Sequence, residues 1–211
     1  MITLSNAVVE IEHLKILQGV SFEISPNSFY CLVGPNGSGK TTVLKLIMKI
    51  LQVNSGNVET VDPKDISYLP QNLPDPPFLS VGEVISVAIK KNNKGSDSRQ
   101  EILDALAEQF HLEGLLERNF SDISAGEKQR VWLAFAIAQE KDMIIMDEPL
   151  SSVDRNSREE FYSLLKEVSL EGRTLLVVTH DIDMALHYAD KIISLQGGRV
   201  VFDGSPSEFV S

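Results

Sequence analysis

A glycine-rich segment at residues 34–41, Gly-Pro-Asn-Gly-Ser-Gly-Lys-Thr, sets narrow limits on the fold of this chain. It follows Phe29–Val33, an uninterrupted apolar run typical of a buried strand, and residues 41–51 after it carry apolar side chains at helical spacing. Glycines let backbone N–H groups curl around phosphate oxygens, and a helix N-terminus adds about half a positive charge. The segment therefore predicts a phosphate-binding loop that joins a strand to a helix.

The loop matches the G-x-x-x-x-G-K-[ST] pattern of nucleotide-binding proteins. Lys40 is expected to reach the β- and γ-phosphates, and Thr41 to supply a magnesium ligand. A plain tight turn is the alternative, but the strand before the loop and the helix after it favour ATP binding. The predicted ATP-binding residues are Gly34, Pro35, Asn36, Gly37, Ser38, Gly39, Lys40, Thr41 and Thr42.

The composition of the chain limits which partners it can bind and where it is expected to act. With 30 acidic and 19 basic side chains the net charge is -11, which argues against a surface that neutralises nucleic-acid phosphates. Cys31 is the only cysteine, and its apolar neighbours predict a buried, inert thiol. Neither a membrane-spanning apolar run nor a signal-peptide pattern is evident, so the expectation is a cytosolic protein that reaches a membrane only through a partner.

Hydrophobic patterning predicts an α/β fold over residues 1–211, with a mostly parallel sheet flanked by helices and short strands at the N-terminus. Prolines at 70–77 and polar residues at 90–100 indicate loops, so residues 72–122 form a helical insert, part of a helical subdomain at about 72–140. Strands are expected at 8–11, 20–24, 29–33, 143–146, 174–179, 192–195 and 200–202, and helices at 41–51, 81–89, 101–110, 126–139 and 158–168.

Two further patterns carry candidate chemistry. Asp147 and Glu148 end the apolar run at 143–146, where ligands of open α/β sheets bind. Asp147 can hold magnesium, and Glu148 can accept a proton from an attacking water. Ser124 and Glu127 have the S-x-x-E form of a capping box at a helix start, which by itself explains both residues.

Taken together, these motifs resemble the ordered motif set of ABC ATPases over nearly the whole chain. The matching positions are 34–42, Gln71, 123–127 (Ile-Ser-Ala-Gly-Glu), Asp147 and Glu148, 151–154 (Ser-Ser-Val-Asp) and His180. The resemblance implies a P-loop NTPase fold with an N-terminal antiparallel β subdomain.

The same resemblance assigns roles. It implies catalytic roles for Glu148, His180 and Gln71, magnesium ligands at Thr41, Gln71 and Asp147, and a D-loop aspartate at Asp154. The signature motif at Ser124, Ala125, Gly126 and Glu127 is expected to meet the ATP of a second subunit.

The resemblance also implies partners: a homodimer or heterodimer that closes on ATP, and a transmembrane permease contacted through residues 72–79. Three of the five signature residues depart from the common Leu-Ser-Gly-Gly-Gln, although Ser124 and Gly126 are kept. The usual aromatic residue that stacks on adenine is absent, which leaves Ile11 or His13 as candidates. His13, His111 and His187 are otherwise expected to be surface residues.

Other classes compete with this interpretation. A P-loop kinase shares the loop but does not require the later motifs, and a soluble ABC ATPase acting on DNA or ribosomes usually carries a coiled coil or two cassettes. An exporter subunit is the closer alternative. Residues 129–133, 180–183 and 188–191 look most similar to importer ATPases for iron chelates, cobalamin or metal ions. The sequence does not name the solute.

Overall fold

The computed structural model describes residues 1–90, 99–150 and 153–209. They form two sheets and six helices, which are named here in chain order. The strands are β1 (Ile2–Ile11), β2 (Leu14–Ile24), β3 (Phe29–Val33), β4 (Ser55–Glu59), β5 (Ile66–Leu69), β6 (Met143–Asp147), β7 (Thr174–Thr179), β8 (Lys191–Gln196) and β9 (Arg199–Gly204). The helices are α1 (Lys40–Ile47), α2 (Val81–Ala88), α3 (Arg99–Gln109), α4 (Ala125–Ala138), α5 (Arg155–Leu170) and α6 (Ile182–Tyr188).

The larger sheet has the strand order β5-β6-β7-β3-β8-β9, in which only the last pair is antiparallel. Both faces are covered, as β3 shows: Phe29, Cys31 and Val33 join one core cluster, and Tyr30 and Leu32 the other. This two-sided burial explains the unbroken apolar run. Cys31 is fully buried, as predicted, and this burial raises the pKa of its thiol.

The smaller sheet, β2-β1-β4, is antiparallel and packs over α1. Its first two strands are longer than the predicted 8–11 and 20–24, because they pair along their whole length. The register shifts between Leu4 and Ala7, where Asn6 has φ 50, and this resets the alternation of inward and outward side chains. The first half of β1 therefore lacks the regular alternation by which a strand is predicted from sequence.

Helix α1 ends at Ile47, earlier than the predicted residue 51. Lys49 adopts φ 56, and the N–H groups of Lys49 and Ile50 donate to Leu46 and Lys45. This is a Schellman ending, built here without glycine. The prediction of helix to residue 51 was therefore wrong: Met48 and Leu51 pack on the core from beyond the helix, and Ile50 is exposed.

Three elements were missing from the sequence prediction: β4, β5 and α6. They are short, and β4 is mostly exposed, so their apolar periodicity is weak. Between β5 and β6 the chain forms α2, α3 and α4, where the helical insert was expected. Of the predicted loop at 90–100, residues 91–98 lie outside the described residues, and Arg99 and Gln100 belong to α3.

Candidate active site

The glycine-rich loop runs from the end of β3 to the start of α1, as predicted. Gly34 has φ 147, and a Cβ atom there would lie 2.2 Å from the carbonyl oxygen of Leu195. Gly39 has φ 105, and its Cβ would lie 2.6 Å from a methyl carbon of Leu17. Side chains are therefore excluded at both positions, which lets the loop backbone fold tightly over the sheet edge.

Lys40 is 5% exposed, and its ammonium donates to the carbonyl oxygens of Gly34 at 2.7 Å and Pro35 at 3.1 Å. Its Nζ also lies 4.0 Å from a carboxylate oxygen of Glu148. Ser38 Oγ, in the same loop, is buried and has no hydrogen-bond partner within the described part of the chain. A buried cation beside a buried, unpaired hydroxyl fits an anionic ligand.

Asp147 ends β6 and is 6% exposed. Thr41 Oγ1, at the start of α1, donates to its Oδ2 at 3.4 Å. This hydrogen bond spans β7, because Asp147 ends β6, Thr41 lies after β3, and these two strands are on either side of β7. Burial, followed by the nearby Glu148 carboxylate, raises the pKa of Asp147, and the Thr41 hydrogen bond and Lys40 partly oppose that rise.

Glu148 is held in an unusual backbone conformation. Its φ is 48, in the left-handed region that non-glycine residues rarely occupy, and its N–H donates to the carbonyl oxygen of Val178 at 2.9 Å. Gln71 Nε2 donates to Glu148 Oε2 at 2.9 Å, and His180 Nδ1 lies 3.8 Å from the same oxygen. Strain of this kind gathers at functional sites, where surrounding contacts enforce it.

These side chains come from neighbouring strands. Gln71 follows β5, Glu148 follows β6 and His180 follows β7, and the three strands are adjacent and parallel. Their carboxyl ends therefore lie at one edge, beside the loop that follows β3. The structure brings together the predicted Lys40, Thr41, Gln71, Asp147, Glu148 and His180.

An open cavity of about 420 Å³ lies over this edge. Its lining residues are Ile16, Asn36, Gly37, Gly39, Lys40, Thr41, Thr42, Gln71 and Glu148. Sequence analysis missed Ile16, whose alternation on β2 gives no sign that it faces a ligand. Neither Ile11 nor His13, the candidates for adenine contact, lines this cavity; the His13 side chain is 100% exposed.

The predicted signature residues form a second cluster. Ser124 Oγ accepts the N–H of Glu127 at 3.3 Å, and Glu127 Oε2 accepts the N–H of Ser124 at 2.7 Å, so the capping box is present. Asp154 caps α5 through Ser157, and a Cβ on Gly126 would lie 3.0 Å from Ser157. Two helix starts are thus packed together, and Ala125 begins α4.

The second cluster makes no direct hydrogen bond to the glycine-rich loop within the part of the chain that the structure describes. Within residues 1–90, 99–150 and 153–209, no hydrogen bond or ion pair of Ser124, Glu127 or Asp154 reaches the loop at 34–42. Ser151 and its neighbour in the predicted D-loop lie outside the described residues. Of the remaining histidines, His187 is exposed, and His111 is largely exposed with Nδ1 3.2 Å from Glu160.

The buried carboxylate allows a stability prediction. A raised pKa means that folding disfavours charged Asp147, so the contribution of Asp147 to the free energy of unfolding of the nucleotide-free chain should rise as pH falls through that pKa. Asp147→Asn should therefore raise the melting temperature at pH 7, and the gain over wild type should shrink as the pH is lowered. Scanning calorimetry at several pH values measures both effects.

Asp142→Asn is the matched control, because Asp142 is exposed one residue before the same strand. It should change the free energy of unfolding by no more than about 0.5 kcal/mol. A lower melting temperature for Asp147→Asn at pH 7 contradicts the argument from burial.

Comparisons with known proteins show the family to which this chain is similar. A family model described as "ABC transporter" matches residues 17–151. The zinc uptake system ATP-binding protein ZurA of Listeria innocua is 33% identical over 228 residues, covering 97% of this chain and 88% of ZurA. The zinc import ATP-binding protein ZnuC of Psychrobacter cryohalolentis is 33% identical over 211 residues, covering 99% and 84%.

Among solved structures, the fold is similar to a dimeric post-hydrolysis state of the ATP-binding cassette MJ0796 bound to ADP and Pi. The TM-score is 0.80 at 26% identity, covering 99% of this chain and 100% of that one. Among the helices of the described ranges, none combines the length and apolarity needed to cross a membrane.

Proposed function

This chain belongs to the ABC transporter family as one of its ATPases, and we propose that it hydrolyses MgATP between two copies to drive a separate permease. Residues 1–211 act as one ATPase domain, with a helical subdomain at about 72–140. The second copy is the same chain or a related ATPase. The protein lies on the cytoplasmic side of the membrane, bound through its permease.

The separation of the two clusters carries this proposal. Lys40 and the glycine loop can surround the phosphates from one side, and the start of α4, whose capping box makes no hydrogen bond to that loop in the described part of the chain, is a helix N-terminus suited to an anion held by another chain. Two copies packed head to tail place Ser124 and Gly126 of one over the γ-phosphate held by the other. The MJ0796 cassette was solved as a dimer with ADP and Pi, which supports a dimer for this chain.

The geometry also supports roles in hydrolysis. Glu148 accepts the proton of the attacking water, while Gln71 and His180, which both approach Glu148 Oε2, orient that water and the carboxylate. Lys40 and the backbone N–H groups of the loop offset charge on the phosphates. The strained backbone of Glu148 fixes the carboxylate before the nucleotide arrives.

Magnesium fits the oxygens at the sheet edge. Thr41 Oγ1 and Asp147 Oδ2 are 3.4 Å apart and are hard oxygen donors, the type that magnesium prefers. A bound cation would also offset the energetic cost of burying the charged Asp147 carboxylate, the cost that raises its pKa. Gln71 is the third proposed ligand. When bound, the ion would offset negative charge on the nucleotide phosphates.

For the cargo we propose import of a divalent metal ion or metal chelate. ZurA and ZnuC are named for zinc uptake and import, which supports this class over the exporter alternative. The permease contact is assigned to residues 72–79. Phe78 in this loop is 92% exposed with φ 67, an apolar ring held away from the core.

Phe78→Glu should therefore abolish co-purification of the permease from native membranes while nucleotide affinity remains unchanged. A charge in an apolar interface opposes docking, because it must be desolvated there. The measurement is affinity purification of the tagged chain, followed by identification of the integral protein that accompanies it. Leu170→Glu is the matched control, since Leu170 is 76% exposed at the end of α5.

The recovered complex also tests the direction of transport. In proteoliposomes it should move a divalent metal ion toward the face that binds ATP. Movement away from that face identifies an exporter. Recovery of no integral protein with the wild-type chain contradicts the transport role and favours a soluble ABC ATPase.

A further inference from the structure

Arg158, in the first turn of α5, connects two segments of the active site. Its Nε donates to the carbonyl oxygen of Val153 at 2.8 Å, and its NH1 group donates to Asp181 Oδ2 at 3.0 Å. The side chain is 35% exposed, and that of Asp181 is 19% exposed. One planar guanidinium thus holds a backbone carbonyl and a carboxylate at fixed relative positions.

Asp181 fixes the chain directly after His180. Its Oδ1 accepts the N–H of Met184 and caps α6, while its own N–H donates to Thr179 Oγ1. The His180 side chain is 60% exposed, and its ion-pair contact is with Glu148 at 3.8 Å. Few side-chain contacts therefore hold His180, and its position depends on the backbone between Thr179 and Asp181.

The other end of the connection is the segment at Val153 and Asp154. Asp154 is anchored through Ser157 of α5, and Val153 lies close to Gly126 of the signature helix. The segment therefore adjoins Gly126, which the proposed function places against the second copy. Arg158 also lines a small cavity together with Glu148 and His180.

We propose that Arg158 is a positioning residue that couples His180 to the segment at Val153 and Asp154. The inference rests on the proposed function, because that segment contacts a second copy only in the ATP-bound dimer. Movement of the segment on dimer closure is transmitted through the guanidinium to Asp181 and so to His180. Arg158 is not among the residues that line the cavity over the glycine loop, so we expect its replacement to leave nucleotide binding intact.

The test compares Arg158→Met with Arg155→Met in the full chain. Arg155 is the matched control, because it lies in the same turn, is 79% exposed and, among the residues that the structure describes, pairs with Glu159 of its own helix. Arg158→Met should lower kcat roughly 10–100-fold by misplacing His180, and leave KM and the ATP dissociation constant within about twofold. Arg155→Met should retain the wild-type kcat.

Two further variants separate coupling from general damage. Arg158→Lys keeps the charge, but a single amine cannot reproduce both hydrogen bonds of the guanidinium, to Val153 and to Asp181. Its kcat should therefore lie between those of the wild type and Arg158→Met. Asp181→Asn keeps the cap and removes the charge, and its effect should not add to that of Arg158→Met.

Three outcomes would overturn the coupling: near wild-type kcat in Arg158→Met, loss of ATP affinity in parallel with kcat, or additive effects in the double variant. A wild-type chain that releases no phosphate contradicts the proposed function instead. The two failures are therefore distinguishable.

Discussion

Glu148→Gln should bind ATP and hydrolyse it roughly 10²–10⁴-fold more slowly than wild type, because the amide cannot accept a proton from the attacking water. The side chain keeps its size, so the cavity and the contact with Gln71 can remain. The substitution also removes two carboxylate charges from a closed dimer, next to the nucleotide phosphates. ATP should therefore hold the variant as a dimer, while both proteins are monomers without nucleotide.

Size-exclusion chromatography with light scattering gives the mass, and phosphate release gives the rate, each with and without magnesium. Glu167→Gln is the control, since Glu167 is exposed on α5 and its amide should change neither quantity. Hydrolysis by Glu148→Gln near the wild-type rate means that Glu148 is not the base. An inactive variant that stays monomeric with ATP leaves the base assigned and contradicts closure of two identical copies.

Lys40→Ala should abolish ATP binding at micromolar to low-millimolar nucleotide. Lys40 is buried and lies among the carbonyl oxygens of its own loop, where a phosphate oxygen can replace them as the acceptor of a charge-assisted hydrogen bond. Loss of such a buried charge pair costs about 2–5 kcal/mol, and each 1.4 kcal/mol is about tenfold in affinity. Isothermal titration calorimetry with ATP and magnesium measures the loss.

Lys45→Ala is the matched control, because Lys45 lies on the same helix but is exposed. It should bind ATP as the wild type does. Circular dichroism of both variants establishes that α1 is intact. Unchanged calorimetric affinity in a folded Lys40→Ala protein would remove Lys40 from the binding site.

Local sequence patterns were sufficient to predict several strands, the glycine-rich loop and a helix start of this protein. The bounds of β3 and β7 were predicted without error, because unbroken apolar runs mark strands buried on both faces. The glycine loop and the capping box at Ser124 are contained within a few consecutive residues, so sequence alone establishes them. The family followed from the order of these motifs.

The tertiary structure decided what depends on distant segments. Gln71, Glu148 and His180 meet only because β5, β6 and β7 are adjacent, an order that periodicity does not encode. The left-handed backbone of Glu148 is imposed by its bond to Val178 on the neighbouring strand. The bridge made by Arg158 likewise joins residues far apart in sequence. Local propensity specifies loops and helix starts, whereas strand order and long-range hydrogen bonds fix where side chains converge.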